Sequence, residues 1–582
     1  MKYKLIAIAI TTILSPQINA ATYKVVELGN ADTAKHSYVT DFNDSGTAIG
    51  VIRGNYNLPI DVSAIDFEDN TLENAWDNQK TYEESIDKTI TFTLADIQAG
   101  TINADALSFM KTFLAGKSGD ANWQKMSDPI AVSFSPLPEE QLFFDQDLSN
   151  QDVPYDYTGL SRSVNNNFTA ISENGVKVGW GSAPYTKEMF TPGGETEAEL
   201  FYSREFENRA RVIKPDGTFF DIVPEYNQYG GISIVTDISQ QADGGYVLVG
   251  EVSTGIPVDR QENLDDNCLG EDDDEEPTSV CVWKYKIQPT QLFDRRAVKW
   301  SLDADFNITN TEILGLALTI QDDEEFAFKS TALTVNSEGV SAGYSHARWK
   351  DTDTIVTMPA YYKDGEVKTF INQEDDWRGG QVADINDNNI LTGYSTKPIS
   401  GTTRAKFFYH DINTGQTTFP IDYFESSASL ARDINNNGII VGEGEIETNT
   451  SSNRRKEAFM YDINAEKFTN INDLLPCYDT DGETRFPYVI AEATGINEQN
   501  EIIGSATKTV VKKDSKGDTV TDTSGEIEYE SIVVAVKLVP ISGEVESCPT
   551  QAAETYKRKA GNFGFLSLLL LPLVALRRKF LK

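Results

Sequence analysis

Ala431-Arg432-Asp433-Ile434-Asn435-Asn436-Asn437-Gly438-Ile439-Ile440-Val441-Gly442-Glu443 carries the architecture of the whole chain. Ile434 ends one extended segment. Asn435 to Gly438 then turn the chain, because Asn and Gly tolerate left-handed backbone and Asn bonds its own main chain. Ile439-Ile440-Val441 return as a second, apolar strand, and Gly442 closes it where a neighbouring backbone approaches or a bulge forms. The unit is a hairpin with a buried return strand.

Six more copies lie along the chain. They are VTDFNDSGTAIGV (residues 39–51), TAISENGVKVGW (169–180), VTDISQQADGGYVLVGE (235–251), ALTVNSEGVSAGY (332–344), VADINDNNILTGY (382–394) and ATGINEQNEIIGS (493–505). A second hairpin follows most of them, as in EAFMYDINAEKFTNI (457–471), KFFYHDINTGQTTFPI (406–421), PAYYKDGEVKTFI (359–371), ARVIKPDGTFFDI (210–222) and AVKWSLDADFNI (297–308). Two hairpins in series make the four-stranded blade of a β-propeller. Seven copies predict an all-β, seven-bladed ring. No hairpin can cover its own apolar faces, so neighbours must stack. An open solenoid is the rival architecture, and it needs capped ends.

The chain ends support closure. Tyr23 to Gly29 read as the last strand of a blade, and Ser531 to Leu538 as a third strand, so the start can complete the final blade and leave no free edge. Closing glycines are spaced by 129, 71, 93, 50, 49 and 62 residues. The short intervals hold one blade of about 40–50 residues, and the long ones require insertions, at about 52–157 and about 256–290. Within the first, Asn103 starts a helix through Leu107, Met110, Phe113 and Leu114, with Gly116 at its end. A degenerate eighth blade is the alternative content of that insertion.

The core "Ala, Asp-Ile-Asn, Asn-x-Gly, Val-Gly" with a trailing "Ala-Phe-x-Tyr" resembles the HAF repeat of bacterial extracellular proteins. With its ends, the chain resembles an exported proteobacterial family of unknown function; the resemblance covers most of the chain and implies no catalytic residue. Lys2 and Lys4, the apolar run Leu5–Leu14 and Ala20-Ala21 predict a signal peptide (1–20) cut after Ala20. Residues 21–550 are then the propeller, and 551–562 a linker with a processing site. Phe563 to Leu576 is apolar apart from Ser567, and Arg577, Arg578, Lys579 and Lys582 follow. This 563–582 segment resembles the Gly-Gly sorting tail that a rhombosortase-type intramembrane protease cuts. Gly561 here stands between Ala560 and Asn562 instead of beside a second glycine, so a retained inner-membrane anchor is the alternative. The expected location is the cell surface or medium after cleavage, and otherwise the periplasmic side of the inner membrane.

Asp and Glu number 90 against 50 Lys and Arg, a net charge of −40. Such a field repels nucleic acid and anionic lipid. Four cysteines in an exported chain imply two disulfides; three connectivities are possible, and proximity favours Cys268–Cys281 and Cys477–Cys548. Calcium is the one cofactor candidate. Asp433, Asn435 and Asn437, and Asp41 with Asn43, occupy the alternating oxygen positions that open a calcium loop. Gly444 and Ile52 stand where its closing bidentate Glu belongs, so plain Asx-Gly turns are the competing reading. Asp479, Asp481 and Glu483 form a similar weak set, and the acidic run Asp265–Glu276 reads as a solvated insertion.

Three scattered histidines, no nucleophile elbow and no phosphate-binding loop leave no recognisable catalytic set. Trp180, Trp349, Tyr361, Tyr362, Trp377 and Tyr394 either line a binding face or fill the inter-blade core. The expected function is a non-catalytic envelope binding module for an unknown protein or glycan. Its rivals are a carboxylate-based hydrolase in the channel and an inner-membrane-anchored structural protein.

Overall fold

The computed structural model describes residues 22–545 apart from 30–31, 135–137, 142, 145–163, 271–274, 289–290, 322–323, 325, 351, 450–453, 480–483, 523 and 544. Seven four-stranded antiparallel sheets are arranged as the blades of a β-propeller. Blade 6 shows the pattern with strands Ser429–Ile434, Ile439–Glu445, Lys456–Asp462 and Lys467–Asn470. The repeated unit forms its two inner strands and the trailing hairpin its two outer ones. Blades 1 to 6 span 34–141, 166–222, 233–315, 330–369, 378–418 and 429–470.

Blade 7 closes the ring. Its strands Val489–Ile496, Ile502–Val511 and Tyr529–Ile541 are completed by Thr22–Glu27 from the other end of the chain, paired antiparallel from Thr22↔Ile541 to Glu27↔Val536. The open solenoid is therefore excluded. Tyr23, 1% exposed, seats the clasp in the core and donates its hydroxyl to Asn500 O at 3.1 Å.

The seven closing glycines share one cause. In each inner strand the register slips by one residue, as between Ala431 and Asp433. This bulge pushes a main-chain oxygen toward the facing glycine of the second strand. A Cβ on Gly50, Gly179, Gly250, Gly343, Gly393, Gly442 or Gly504 would lie only 1.8–2.2 Å from that oxygen. The apolar residue two places past each bulge (Phe42, Ile171, Ile238, Val335, Ile385, Ile434, Ile496) is 8% exposed or less and packs between blades.

The insertions differ from expectation in two respects. The interval 52–157 is not one uninterrupted excursion, because Ile130–Phe134 and Pro138–Gln141 within it are the outer strands of blade 1. Residues 56–129 hold helices Asn70–Ser85, Leu94–Gln98 and Ala104–Gly116, and no eighth blade. The last of these begins where expected, with the Asn103 side chain capping Ala106 N at 2.9 Å. The acidic insertion is helical too, Val258–Cys268 and Thr278–Ile287, stapled by Cys268–Cys281. Cys477 is also disulfide-bonded; its expected partner Cys548 lies outside the described residues, as do Ala20, Ala21, Gly561, Asp481, Glu483 and the tail. Among the described residues no helix is long and apolar enough to cross a membrane.

Candidate functional site

Long connections between second and third strands leave one face of the ring from blades 7, 1, 2 and 3, which are neighbours, and join into a cap. Ala121 of the first insertion packs with Phe201 of the blade 2 hairpin and with Val280 and Trp283 of the blade 3 helices. Polar ties add to this: Tyr202 N to Ala121 O at 2.8 Å, Lys187 to Asp61 at 2.6 Å, and Ser515 of blade 7 to Ala104 O at 2.5 Å. Blades 4, 5 and 6 carry only short connections there, so the cap walls one side of the axis and leaves the other open.

At the axis, the residue after each bulge is Asp41, Ala170, Asp237, Thr334, Asp384, Asp433 and Gly495 in blades 1 to 7. Each Asp ties its blade to the next. Asp41 accepts Ile171 N at 2.7 Å, Asp237 accepts Val335 N at 2.8 Å, Asp384 accepts Ile434 N at 3.1 Å, and Asp433 accepts Ile496 N at 2.6 Å. Two residues on, the turn asparagines repeat the device. Asn435 Oδ1 accepts Ile439 N of its own turn, while Nδ2 donates to Asn497 O of blade 7. Asn43 likewise accepts Thr47 N and donates to Ser172 O of blade 2. Asn437 is exposed and donates to Glu498 O.

The five calcium candidates are thus not brought round a common point. Asp41 and Asp433 stand at the axis, Asn43 and Asn435 spend their amides along the turns, and Asn437 points to the next blade. Among the described residues no group of three or more His, Cys, Asp or Glu is placed to hold a metal ion. The "Asp-Ile-Asn" signature is accounted for by inter-blade bonding: Asp and Asn stitch the seams and Ile fills the space between them.

Burial raises the Asp41 carboxyl to about 7 and the Asp237 carboxyl to about 6, with the charges of ring neighbours adding to it. Asp433 is raised well above the usual carboxylate range by burial and by the neighbouring Asp384 carboxyl. The histidines are structural. Nδ1 of His36 and of His346 accept Val533 N and Lys329 N, both at 3.1 Å, and His410 lies 4.1 Å from the Phe370 ring. Burial lowers His346 and His410 to about 4, which leaves them neutral.

The mouth on the cap side has a different chemistry. Arg432 pairs with Glu443 at 2.8 Å and Glu492 at 3.0 Å, and Lys456 approaches Glu443 at 3.6 Å. Across the bore Glu251 takes Arg295 and Lys329, both at 3.1 Å, and the Thr331 hydroxyl at 2.5 Å. Tyr344 and Tyr394 stand between these two ionic groups, and Tyr38 lies beside Glu492; all three rings are half-buried. Lys329 sits 5.3 Å from the Tyr344 ring, a cation–π contact. Of the aromatics singled out in the sequence, Tyr394 belongs here, whereas Tyr362 and Trp377 are buried between blades. Tyr344, Glu443 and Glu251 went unread, although each follows a closing glycine, a position that could have found them.

A family model matches residues 1–579. The chain belongs to DUF3466, a family of proteins of unknown function. No curated protein matches this DUF3466 member. Among solved structures it is similar to the β-propeller domain of the Trilobed protease from Pyrococcus furiosus, at 7% identity and a TM-score of 0.30, over 70% of this chain and 89% of that one. It is similar to TolB from Acinetobacter baumannii at 10% identity and 0.25, over 73% and 79%. A puromycin-hydrolyzing peptidase of Mycobacterium tuberculosis matches at 8% and 0.26, over 59% and 43%. The DUF3466 chain spans less than half the length of the first peptidases it matches.

Proposed function

We propose that this propeller is an exported, non-catalytic binding module that holds an envelope protein segment or glycan at the cap-side mouth. The supporting observation is the combination found there: three half-buried tyrosines beside charges already held in ion pairs, walled by the cap on one side and open over blades 4 to 6. Rigid amphipathic rings with few, fixed polar groups suit a sugar face or an extended peptide. A channel hydrolase is disfavoured because the axial carboxyls are committed to main-chain N–H groups of adjoining blades.

Binding of the purified protein to glycan and peptide arrays tests this. Tyr344→Ala/Tyr394→Ala is expected to weaken any captured ligand at least about tenfold, the equivalent of 1.4 kcal/mol, with melting little changed. Binding that survives the double variant and is lost on changing the opposite, turn-side mouth overturns the assignment.

Export rests on the leader read at residues 1–20 and the tail read at 563–582, with Gly561 as the processing position, and on the likeness of the seven hairpins to HAF repeats. Mass analysis of the C-terminus is expected to show loss of the apolar tail. An intact Lys582 on the exported protein leaves it as an inner-membrane anchor.

A further inference from the structure

We propose that the axial carboxyls form a proton-dependent latch between blades, tight while Asp433 keeps its proton and loosened once that proton is lost. The geometry demands such a proton. The Asp384 and Asp433 carboxyls converge on one donor, the Ile434 N–H, at 3.1 Å from Asp384 and 2.7 Å from Asp433, and two bare carboxylates so close repel. Their remaining bonds come from donors only: Thr334 Oγ1 at 2.7 Å to Asp384 and Ile496 N at 2.6 Å to Asp433. These bonds join blades 4, 5, 6 and 7, so strain at the pair falls on three consecutive seams.

The charges facing the pair are of one sign. Blade 1 contributes Asp41 and blade 3 Asp237, while blades 2, 4 and 7 place the uncharged Ala170, Thr334 and Gly495 at the same height. Arg432 is the sequence neighbour of Asp433, but its guanidinium is turned to Glu443 and Glu492. The four carboxyls influence one another, and no cation figures among the main influences on Asp41, Asp237 or Asp433.

The sign follows from linkage. The unfolded chain releases these protons near an ordinary aspartate value of about 4, whereas the folded ring keeps those of Asp41 and Asp237 to about 7 and about 6. Stability contributed by the ring is whole below about pH 4 and lost as pH rises through about 6–7, opposite to the behaviour of ion-paired carboxylates. An exported protein, exposed to outside acidity, would hold its blades most firmly in mild acid.

Melting of the purified protein from pH 5 to 8.5, at constant ionic strength with chelator, tests the latch. Wild type is expected to melt progressively lower as pH rises. Asp384→Asn removes one of the two facing carboxyls, so its slope should fall to half or less and its melting at pH 8.5 should match or exceed wild type. An unchanged slope in Asp384→Asn overturns the proposal. Should that variant not fold, infrared spectra of wild type decide: a protonated-carboxyl band persisting at pH 6 supports the latch, and its absence removes it. Calcium restoring wild-type melting at pH 8.5 would make the ring a cation site instead and also overturn it.

Discussion

Gly442→Ala is expected to lower the melting temperature by about 3–5 °C. The added Cβ would lie 2.0 Å from Leu430 O and 2.9 Å from the Ala431 Cα, both main-chain atoms that cannot rotate away. The strand cannot shift as a whole, because Gly442 is paired with Ala431 on one side and Phe459 on the other, and every residue of Ile439–Glu445 is buried. Overpacking against movable side chains costs about 1–3 kcal/mol; flattening a main-chain bulge that also aims Asp433 at blade 7 should cost more, on the order of 4 kcal/mol. Gly438→Ala is the control. Gly438 has φ +78°, and an added Cβ would meet only side-chain atoms, the movable Asn464 amide at 3.3 Å and Ile463 Cβ at 3.7 Å, so its cost should stay near the roughly 1 kcal/mol of a strained turn. Circular-dichroism melting of the two variants checks the order, and Gly442→Ala melting within a degree of wild type would show that the bulge is not what requires glycine.

That glycine was legible in the sequence because its cause is local: one strand, one turn and one return strand are contiguous, and the copies repeat. Turn chemistry was legible for the same reason. Blades 5 and 7 place Asn389 and Asn500 where the others have glycine, and both adopt the expected left-handed backbone, at φ 62° and 58°. The seams were not legible, because their partners are far apart in sequence. Ser37, Ser233, Ser330 and Ser429, four residues before the axial position, read as ordinary small strand residues. Each is fully buried and accepts a main-chain N–H from the third strand of the preceding blade, such as Ala535 N at 2.9 Å and Phe407 N at 3.2 Å. The cap was half legible. Its first insertion announced a helix through the Asn103 cap, but the blade 3 helices lie in an acidic stretch with little apolar periodicity, and their burial depends on Trp283 meeting residues from two other blades. Of the axial carboxyls, Asp41 and Asp433 were assigned a loop chemistry and Asp237 and Asp384 none, since sequence shows the alternation of Asp and Asn but not that the blades set them in a ring.

Tyr23→Ala is expected to open the ring at its single closure point. The strand Thr22–Glu27 is held by six paired residues, but only Tyr23 within it is buried, in a cluster that includes Ile490, Ala493, Val536 and Leu538. Removing a buried aromatic side chain costs about 3–5 kcal/mol, and here the loss falls on the strand that joins the two ends of the ring. Glu27 adds the Tyr488 hydroxyl and the Lys508 ammonium, both at 2.7 Å, but these partly exposed bonds contribute little by comparison. Once the clasp frays, the edge of Tyr529–Ile541 is bare along Val536-Lys537-Leu538-Val539-Pro540-Ile541, an unpaired strand edge of the kind that can pair with other chains. The expected result is a melting temperature lowered by about 3–5 °C, early protease cleavage within 529–541, and concentration-dependent aggregation on mild heating. Tyr23→Phe, which loses only the bond to Asn500 O, should stay within about 1–2 kcal/mol of wild type. Equal behaviour of the two variants, or cleavage of Tyr23→Ala first in the cap, would place the weak point of the ring elsewhere.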